Sequence, residues 1–328
     1  MSSVIGVDLG GTKIAVATLR GSQLSESQME PTDLASADAL VDQLANMIES
    51  LRDDDLVGVG IGVPSVVEFS TGRVVNSVNV PLRDVPLRAV LGERLGVPVF
   101  VDNDATVAAL AEAHDDQLRL VAANLVMLTV GTGVGGGIVL GGRIYRGATG
   151  GAGELGHTII GAELAASVPD GGHFPQHGSL EALAAGHALD GMAAQAAGLR
   201  PASALGRLRA EGKSVLGADA VAAAREGDEI AARIVNLWAR RLGIGIANAI
   251  NTFDPDEVVI GGGAIKAGEL LLEPAVSVAR GYIVPGLGTA CNVRLAWHGV
   301  RAGVLGAALL AAHELQAASG RPDVEVSA

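Results

Sequence analysis

Carboxylates followed by glycines recur at the ends of apolar runs in this chain, a combination that suits phosphate binding. Val4-Ile5-Gly6-Val7-Asp8 closes on a carboxylate, Leu9-Gly10-Gly11-Thr12-Lys13 follows, and a second apolar run covers Ile14 to Leu19. A hairpin turn of glycine and small polar residues lets backbone N–H groups approach an anion, and Thr12 and Lys13 add a hydroxyl and a positive charge. An ordinary hairpin would also explain Gly10-Gly11, but not the carboxylate beside them. The pattern returns as a strand over Leu125 to Val130, a glycine loop from Gly131-Thr132-Gly133 to Gly137, and a strand over Ile138 to Leu140. A third site, Gly261-Gly262-Gly263, follows Val258-Val259-Ile260. Dinucleotide-fingerprint glycines should open a helix, whereas the Gly131 loop leads into a second strand, so that reading fails. Two hairpins of one kind imply a duplicated architecture with a nucleotide between the halves.

Asp102-Asn103-Asp104 sits where the apolar run Val97 to Val101 gives way to the helix-forming Ala105 to Ala113. A carboxylate or an amide there caps the helix, and three polar residues exceed what a cap requires. If Asp104 is a catalytic base, its place at the positive end of a helix should keep it ionised and weakly basic. Weak basicity suits phosphoryl transfer, whose loose transition state delays deprotonation of the attacking hydroxyl.

The elements that must position these groups follow from periodicity. Ser36 should cap a helix whose apolar stripe is Leu40, Val41, Leu44, Met47, Ile48 and Leu51. Val57 to Val63 reads as a buried strand ending at Pro64. Residues 180–227 read as several Ala-rich helices, followed by a long helix from about Asp228 to Asn251.

Composition narrows the function classes. The 328 residues, 49% of them hydrophobic, can bury an ample core and by length suggest roughly two domains. A net charge of -13 disfavours nucleic acid as a partner, since that binding rests on Lys and Arg. The apolar run Ala302 to Ala312 is shorter than the roughly 20 residues that span a bilayer, so no membrane partner is expected. A single cysteine, Cys291, excludes an internal disulfide and suits a reducing compartment. A strand pattern that begins at once, with no signal-peptide run, makes a cytoplasmic location the expectation.

The order Asp-x-Gly-Gly-Thr-Lys, Asp-Asn-Asp-Ala, Gly-Thr-Gly-x-Gly-Gly-Gly, Glu-x-Gly-His and Val-Ile-Gly-Gly-Gly resembles the ROK family of sugar kinases and repressors across residues 4–317. The resemblance implies an α/β chain with an actin-like ATPase fold, two ribonuclease-H-like lobes and an interlobe cleft. Residues 1–118, with a returning helix at about 302–317, would form the small lobe and 119–301 the large lobe, leaving 318–328 as a flexible tail. It implies ATP and Mg²⁺ as cofactors, with Asp8 near magnesium, directly or through water. Gly10, Gly11, Thr12 and Lys13 match the first phosphate motif, Gly131, Thr132 and Gly133 the second, and Gly261, Gly262 and Gly263 the adenosine side. Asp104 matches the general base, and Asn103, Glu154, His157 and Glu181 match sugar contacts. Asn79 and Ser65 fall near the sugar, although the family's usual glycine after Pro64 is Ser65 here. The implied activity is a hexose kinase, most simply a glucokinase acting on the 6-hydroxyl of glucose, assembled as a homodimer. Alternatives are a kinase for fructose, mannose or an N-acetylated hexosamine, a polyphosphate-using glucokinase, and a non-catalytic sugar sensor. The first phosphate motif begins within the first ten residues, so no repressor's DNA-binding region is expected before it.

One segment departs from the resemblance. Most members follow Glu-x-Gly-His with a cysteine-rich run whose three thiolates and histidine hold a structural zinc. Here Gly172, Phe174 and Ser179 stand at the cysteine positions while Gly178 and Glu181 persist. Tetrahedral zinc needs four ligands, and His157, His173 and His177 supply three at most, so no structural zinc is expected. Phe174 packing inward is the expected substitute brace. His114, His187, His298 and His313 show no partner pattern and read as core or solvated residues.

Overall fold

The two N-terminal apolar runs pair antiparallel as strands β1 (Ser3–Leu9) and β2 (Lys13–Arg20), with Asp8 opposite Ala15. The short strands β3 (Gln23–Leu24) and β4 (Gln28–Pro31) extend this sheet on the β2 side. On the other side β5 (Leu56–Val63) and β9 (Val99–Asn103) add in parallel, giving the order β3-β2-β1-β5-β9. Between them in sequence, β6 (Ser65–Glu68), β7 (Arg73–Ser77) and β8 (Arg83–Val85) form a separate antiparallel sheet. The second large sheet comprises β10 (Leu125–Val130), β11 (Val134–Leu140), β12 (Arg143–Ile144), β13 (Glu257–Gly261) and β14 (Asn292–Leu295). Its order, β12-β11-β10-β13-β14, repeats the neighbour relations of the first, so the duplication implied by the two glycine hairpins is real. Strand β11 begins at Val134, so Gly135 to Gly137 belong to the strand and the glycine loop is shorter than expected.

This is a computed structural model that describes residues 2–77, 79–161 and 172–319. Two units emerge, one drawn from 1–125, 137–153 and 297–328, the other from 126–136 and 154–296. Residues 137–153 fall in the first unit, where Gly137 packs on the first turns of helix α3 (Asp104–Glu112). A Cβ there would lie 2.7 Å from Ala109 Cβ and 3.0 Å from Thr106 Cα. The tail expected over 318–328 lies outside the described residues from 320 onward. Among the described residues no helix is long and apolar enough to cross a membrane.

In the first unit, helix α1 (Ala37–Ser50) is capped by Ser36, whose Oγ accepts from Ala39 N at 3.1 Å. It buries the Leu40, Val41, Leu44, Met47 and Ile48 stripe in the same core as Leu87 and Leu91 of α2 (Leu87–Leu95). The glycines are explained by helix α10 (Ala302–Ala318), which lies directly on the sheet. A Cβ at Gly6 would overlap Val304 O, one at Gly60 would overlap Ala307 O, and one at Gly306 would overlap Val107 O of α3. The bare backbones of β1, β5, α3 and α10 therefore approach more closely than any side chain permits.

The second unit carries α4 (Leu180–Ala184), α5 (Gly186–Leu199), α6 (Ala204–Ala210), α7 (Gly217–Arg225), α8 (Glu229–Phe253) and α9 (Glu269–Tyr282). Asp228 caps α8 through Oδ1, which accepts from Ile230 N and Ala231 N. Trp238 of α8, 2% exposed, donates Nε1–H to Ala184 O at 2.8 Å and fixes the α4–α5 junction from inside the core.

Gly60→Ala is expected to destabilise the first unit by about 3 kcal/mol or more, since the neighbouring atom is backbone and cannot repack. Urea denaturation checks this, and an unchanged midpoint would contradict the α10 contact.

Candidate active site

In the first unit three carboxylates end strands or begin helices, and each has a different environment. Asp8, near the end of β1, is half-buried, and a Cβ at Gly303 of α10 would overlap its carboxylate. Burial raises its pKa, and the Lys13 charge only partly opposes this. Such an under-compensated carboxylate suits a divalent cation, which would neutralise it. Gly10, Gly11, Thr12 and Lys13 form the adjoining turn, where Gly10 N donates to Lys13 O at 3.0 Å. Asn79 packs against this turn, its Cβ 3.1 Å from where a Cβ on Gly11 would be.

Asp102 is spoken for. Its side chain is 2% exposed, and Oδ2 accepts from Arg146 Nε at 2.7 Å while Arg146 also binds Glu314 of α10 at 2.9 Å. The Arg146 guanidinium stacks 3.4 Å from the Phe69 ring centroid. Burial nonetheless outweighs Arg146 and raises the Asp102 pKa. This carboxylate anchors β9 and leaves its two neighbours for chemistry. Asn103 is the helix cap: Oδ1 accepts from Thr106 N at 3.1 Å, while the Nδ2 donor turns to other partners. That Nδ2 reaches Ser65 O at a long 3.4 Å, bringing together two expected sugar-side residues. Ser65 Oγ is buried with no hydrogen-bond partner among the described residues, a cost ordinarily avoided unless a ligand completes it.

Asp104 overturns one expectation. Its Oδ1 accepts from Ala105 N at 2.8 Å, yet burial, aided by the Asp8 charge, pushes the carboxyl up to about 6. The helix end does not keep it weakly basic, because desolvation exceeds the stabilisation by backbone N–H groups.

In the second unit the loop Gly131-Thr132-Gly133 is clamped from several sides. Gly186 N, at the start of α5, donates to Gly131 O at 2.7 Å, and His187 Nδ1 donates to Thr132 O at 2.6 Å. His187 is thus neither core nor merely solvated: it holds the loop. The Glu181 carboxylate accepts from Val134 N at 2.7 Å through Oε2. Gly156 of Glu-x-Gly-His admits the Val134 carbonyl where a Cβ would overlap it. Gly131, Thr132 and Gly263 line one cavity of about 570 Å³ with residues that sequence reading missed, among them His187, Asp190, Val221, Arg225 and Lys266. Gly262, at φ 78°, turns the chain beside Val130, and Gly261 packs on Met127. The scattered positions of the cavity residues offered no local signal.

Glu154 and His157 face each other, with Nε2 to Oε2 at 3.6 Å. His157 Nδ1 is buried without a partner among the described residues, and Phe174 meets the ring edge-on at 5.1 Å. Phe174 is 68% exposed, so the expectation that it packs inward as a brace is wrong. Backbone bonds hold the segment instead: Leu180 N to Thr158 O at 2.8 Å and Ile160 N to Gly178 O at 2.8 Å. Ser179, at a cysteine position, caps α4 by accepting from Ala182 N at 3.1 Å, and Leu180 enters the core fully buried. The donor set does not fit the family's structural zinc: the three cysteine positions carry Gly172, Phe174 and Ser179, none of which offers a thiolate.

A family model described as the ROK family matches residues 4–314. The chain is 36% identical over 320 residues to a glucokinase of Halalkalibacterium halodurans, covering 92% of each. It is 30% identical over 292 residues to a xylose repressor of Caldicellulosiruptor bescii, covering 83% of this chain and 69% of the repressor. A solved ROK family glucokinase from Streptomyces griseus, in complex with glucose and AMPPNP, superposes with a TM-score of 0.76 at 32% identity, covering 95% of this chain and 100% of that one. The fold is the actin-like ATPase fold of these kinases.

The raised Asp104 pKa sets a pH dependence. Activity that needs the carboxylate should fall about tenfold per pH unit below about pH 6. Stability runs the other way, because a folded pKa above the unfolded one stabilises the fold below the unfolded value and is lost as pH rises to about 6. A kcat/KM profile whose acid limb lies near pH 4, or follows unfolding, would contradict this. For the brace, Leu180→Ala should cost about 2–5 kcal/mol, whereas Phe174→Ala should leave Tm nearly unchanged, as thermal melts would show.

Proposed function

The chain belongs to the ROK family, and on that footing we propose that it is an ATP-dependent glucokinase that transfers the γ-phosphoryl group to the 6-hydroxyl of glucose. The observation that carries the mechanism is Asp104, a carboxyl raised to about 6 at the start of α3 beside a capping amide. Near neutral pH it is ionised yet basic enough to accept a proton, which places it close to the optimum for a general base. Asp104 takes the hydroxyl proton, the hydroxyl oxygen bonds to the γ-phosphorus, and the bond from that phosphorus to the bridging oxygen breaks, leaving ADP. Asn103 Nδ2, Ser65 Oγ, Glu154, His157 and Glu181 are suited to bind sugar hydroxyls, which both donate and accept hydrogen bonds. Asp8 would hold Mg²⁺, directly or through water, and the ion supplies charge neutralisation on the phosphates. Gly10 to Lys13 and Gly131 to Gly133 supply backbone N–H groups for the phosphate chain.

ATP is favoured over polyphosphate by the cavity of about 570 Å³, whose Val221, Ala264 and Ala267 surfaces suit a nucleobase and serve no purpose for a phosphate polymer. The relatives named as repressors make a sensor the second reading; Asp8, Asp104 and both phosphate turns, all present, favour turnover. The proposed setting is a cytoplasmic homodimer.

ADP release measured across glucose, fructose, mannose and N-acetylglucosamine, with ATP or polyphosphate as donor, is expected to be greatest with glucose and ATP and to vanish on chelating magnesium. Asp104→Ala should lose at least about a thousandfold in kcat while glucose still binds by calorimetry. Turnover within tenfold of the parent would remove Asp104 as the base, and sedimentation as a monomer would remove the dimer.

A further inference from the structure

The backbone of Val134 is gripped from both sides by sugar-side motifs. Its N–H donates to Glu181 Oε2 at 2.7 Å, and its carbonyl lies against Gly156 of Glu-x-Gly-His. A Cβ at Gly133 would collide with the same Glu181 oxygen, so glycine is required there for the carboxylate to reach the loop. The other loop contacts come from Gly186 N and His187 Nδ1 and engage carbonyls, which leaves Glu181 as the carboxylate that engages an N–H of this turn among the described residues. Glu181 Oε1 has no hydrogen-bond partner there and remains for a ligand.

We propose that Glu181 is a positioning residue for the phosphate-donor loop as well as a sugar ligand, and that it couples sugar binding to nucleotide binding through Val134. The inference rests on the kinase reading of this loop. Without sugar, the Glu181 carboxylate, offset among the described residues by the Val134 N–H at 2.7 Å, stands beside a turn that must receive phosphates, and its charge opposes them. A sugar hydroxyl donating to Oε1 disperses that charge and fixes the side chain, keeping Val134 N–H in place while weakening the repulsion. Sugar thereby tightens nucleotide binding, and by linkage nucleotide tightens sugar binding by the same factor.

The test is calorimetric titration of AMPPNP into the full chain with and without saturating glucose. The parent should bind AMPPNP about fivefold or more tightly with glucose. Glu181→Gln keeps a carbonyl oxygen for Val134 N–H and removes the charge. It should bind AMPPNP more tightly than the parent without glucose and show a glucose effect below about twofold. Gly133→Ala keeps the charge but drives the carboxylate off the loop, and should lose the coupling with Glu181 intact. A Glu181→Gln protein whose glucose effect equals the parent's, with only glucose affinity reduced, would overturn the proposal and leave Glu181 a sugar ligand alone. The isosteric Gln variant keeps the test decisive if Gly133→Ala does not fold. A parent that binds no AMPPNP at all would instead overturn the kinase reading itself.

Discussion

The structure depends on backbone approaching backbone without an intervening side chain. In the first unit, Gly6, Gly60 and Gly306 let α10 rest on β1, β5 and α3, and Gly303 lets the same helix meet the Asp8 carboxylate. In the second, Gly156, Gly186 and Gly262 bring the Glu-x-Gly-His turn, the start of α5 and the end of β13 onto the segment from Val130 to Val134. Side chains can shift to relieve a misfit, but two backbones in contact cannot, so these positions fix the reacting groups rigidly. Many of the 46 glycines are therefore a packing system.

Electrostatics in the first unit follows from that close packing. Helix α10 brings Glu314 to Arg146, Arg146 pairs with Asp102, and the pair immobilises the strand end from which Asn103 and Asp104 project. A buried ion pair of this kind contributes little net stability, and its value here is geometric. Asp104, by contrast, is raised chiefly by its burial, which the backbone N–H of Ala105 only partly offsets, and its basicity rises in consequence. Neighbouring carboxylates of one short motif thus acquire opposite duties, one structural and one suited to proton transfer.

The segment that departs from the family pattern is ordered by protein contacts of its own. Ser179 replaces a ligand by a helix cap, Leu180 fills the core, and two backbone bonds join 158–160 to 178–180. Phe174 stays exposed while Leu180 turns inward, and hydrophobicity alone does not distinguish the two. Leu180, the residue that does turn inward, precedes Glu181 directly and so ties the carboxylate to the core of the second unit.

Much of this protein was legible without coordinates. The two hairpins, the Ser36 cap, the Asn103-Asp104 strand-to-helix junction and the duplicated sheet order arise from local periodicity, turn chemistry and motif order, which a linear sequence carries in full. The lack of cysteines for zinc was equally plain. Tertiary structure alone decided that Asp104 is basic, that Asp102 is consumed by Arg146, that His187 serves the glycine loop and that Gly137 packs on α3. Each of these depends on burial or on residues far apart in the chain: Arg146 and Glu314 are 168 positions apart, and Glu181 and Val134 are 47 apart. Desolvation and such distant contacts are properties of the packed chain, and no local pattern encodes them.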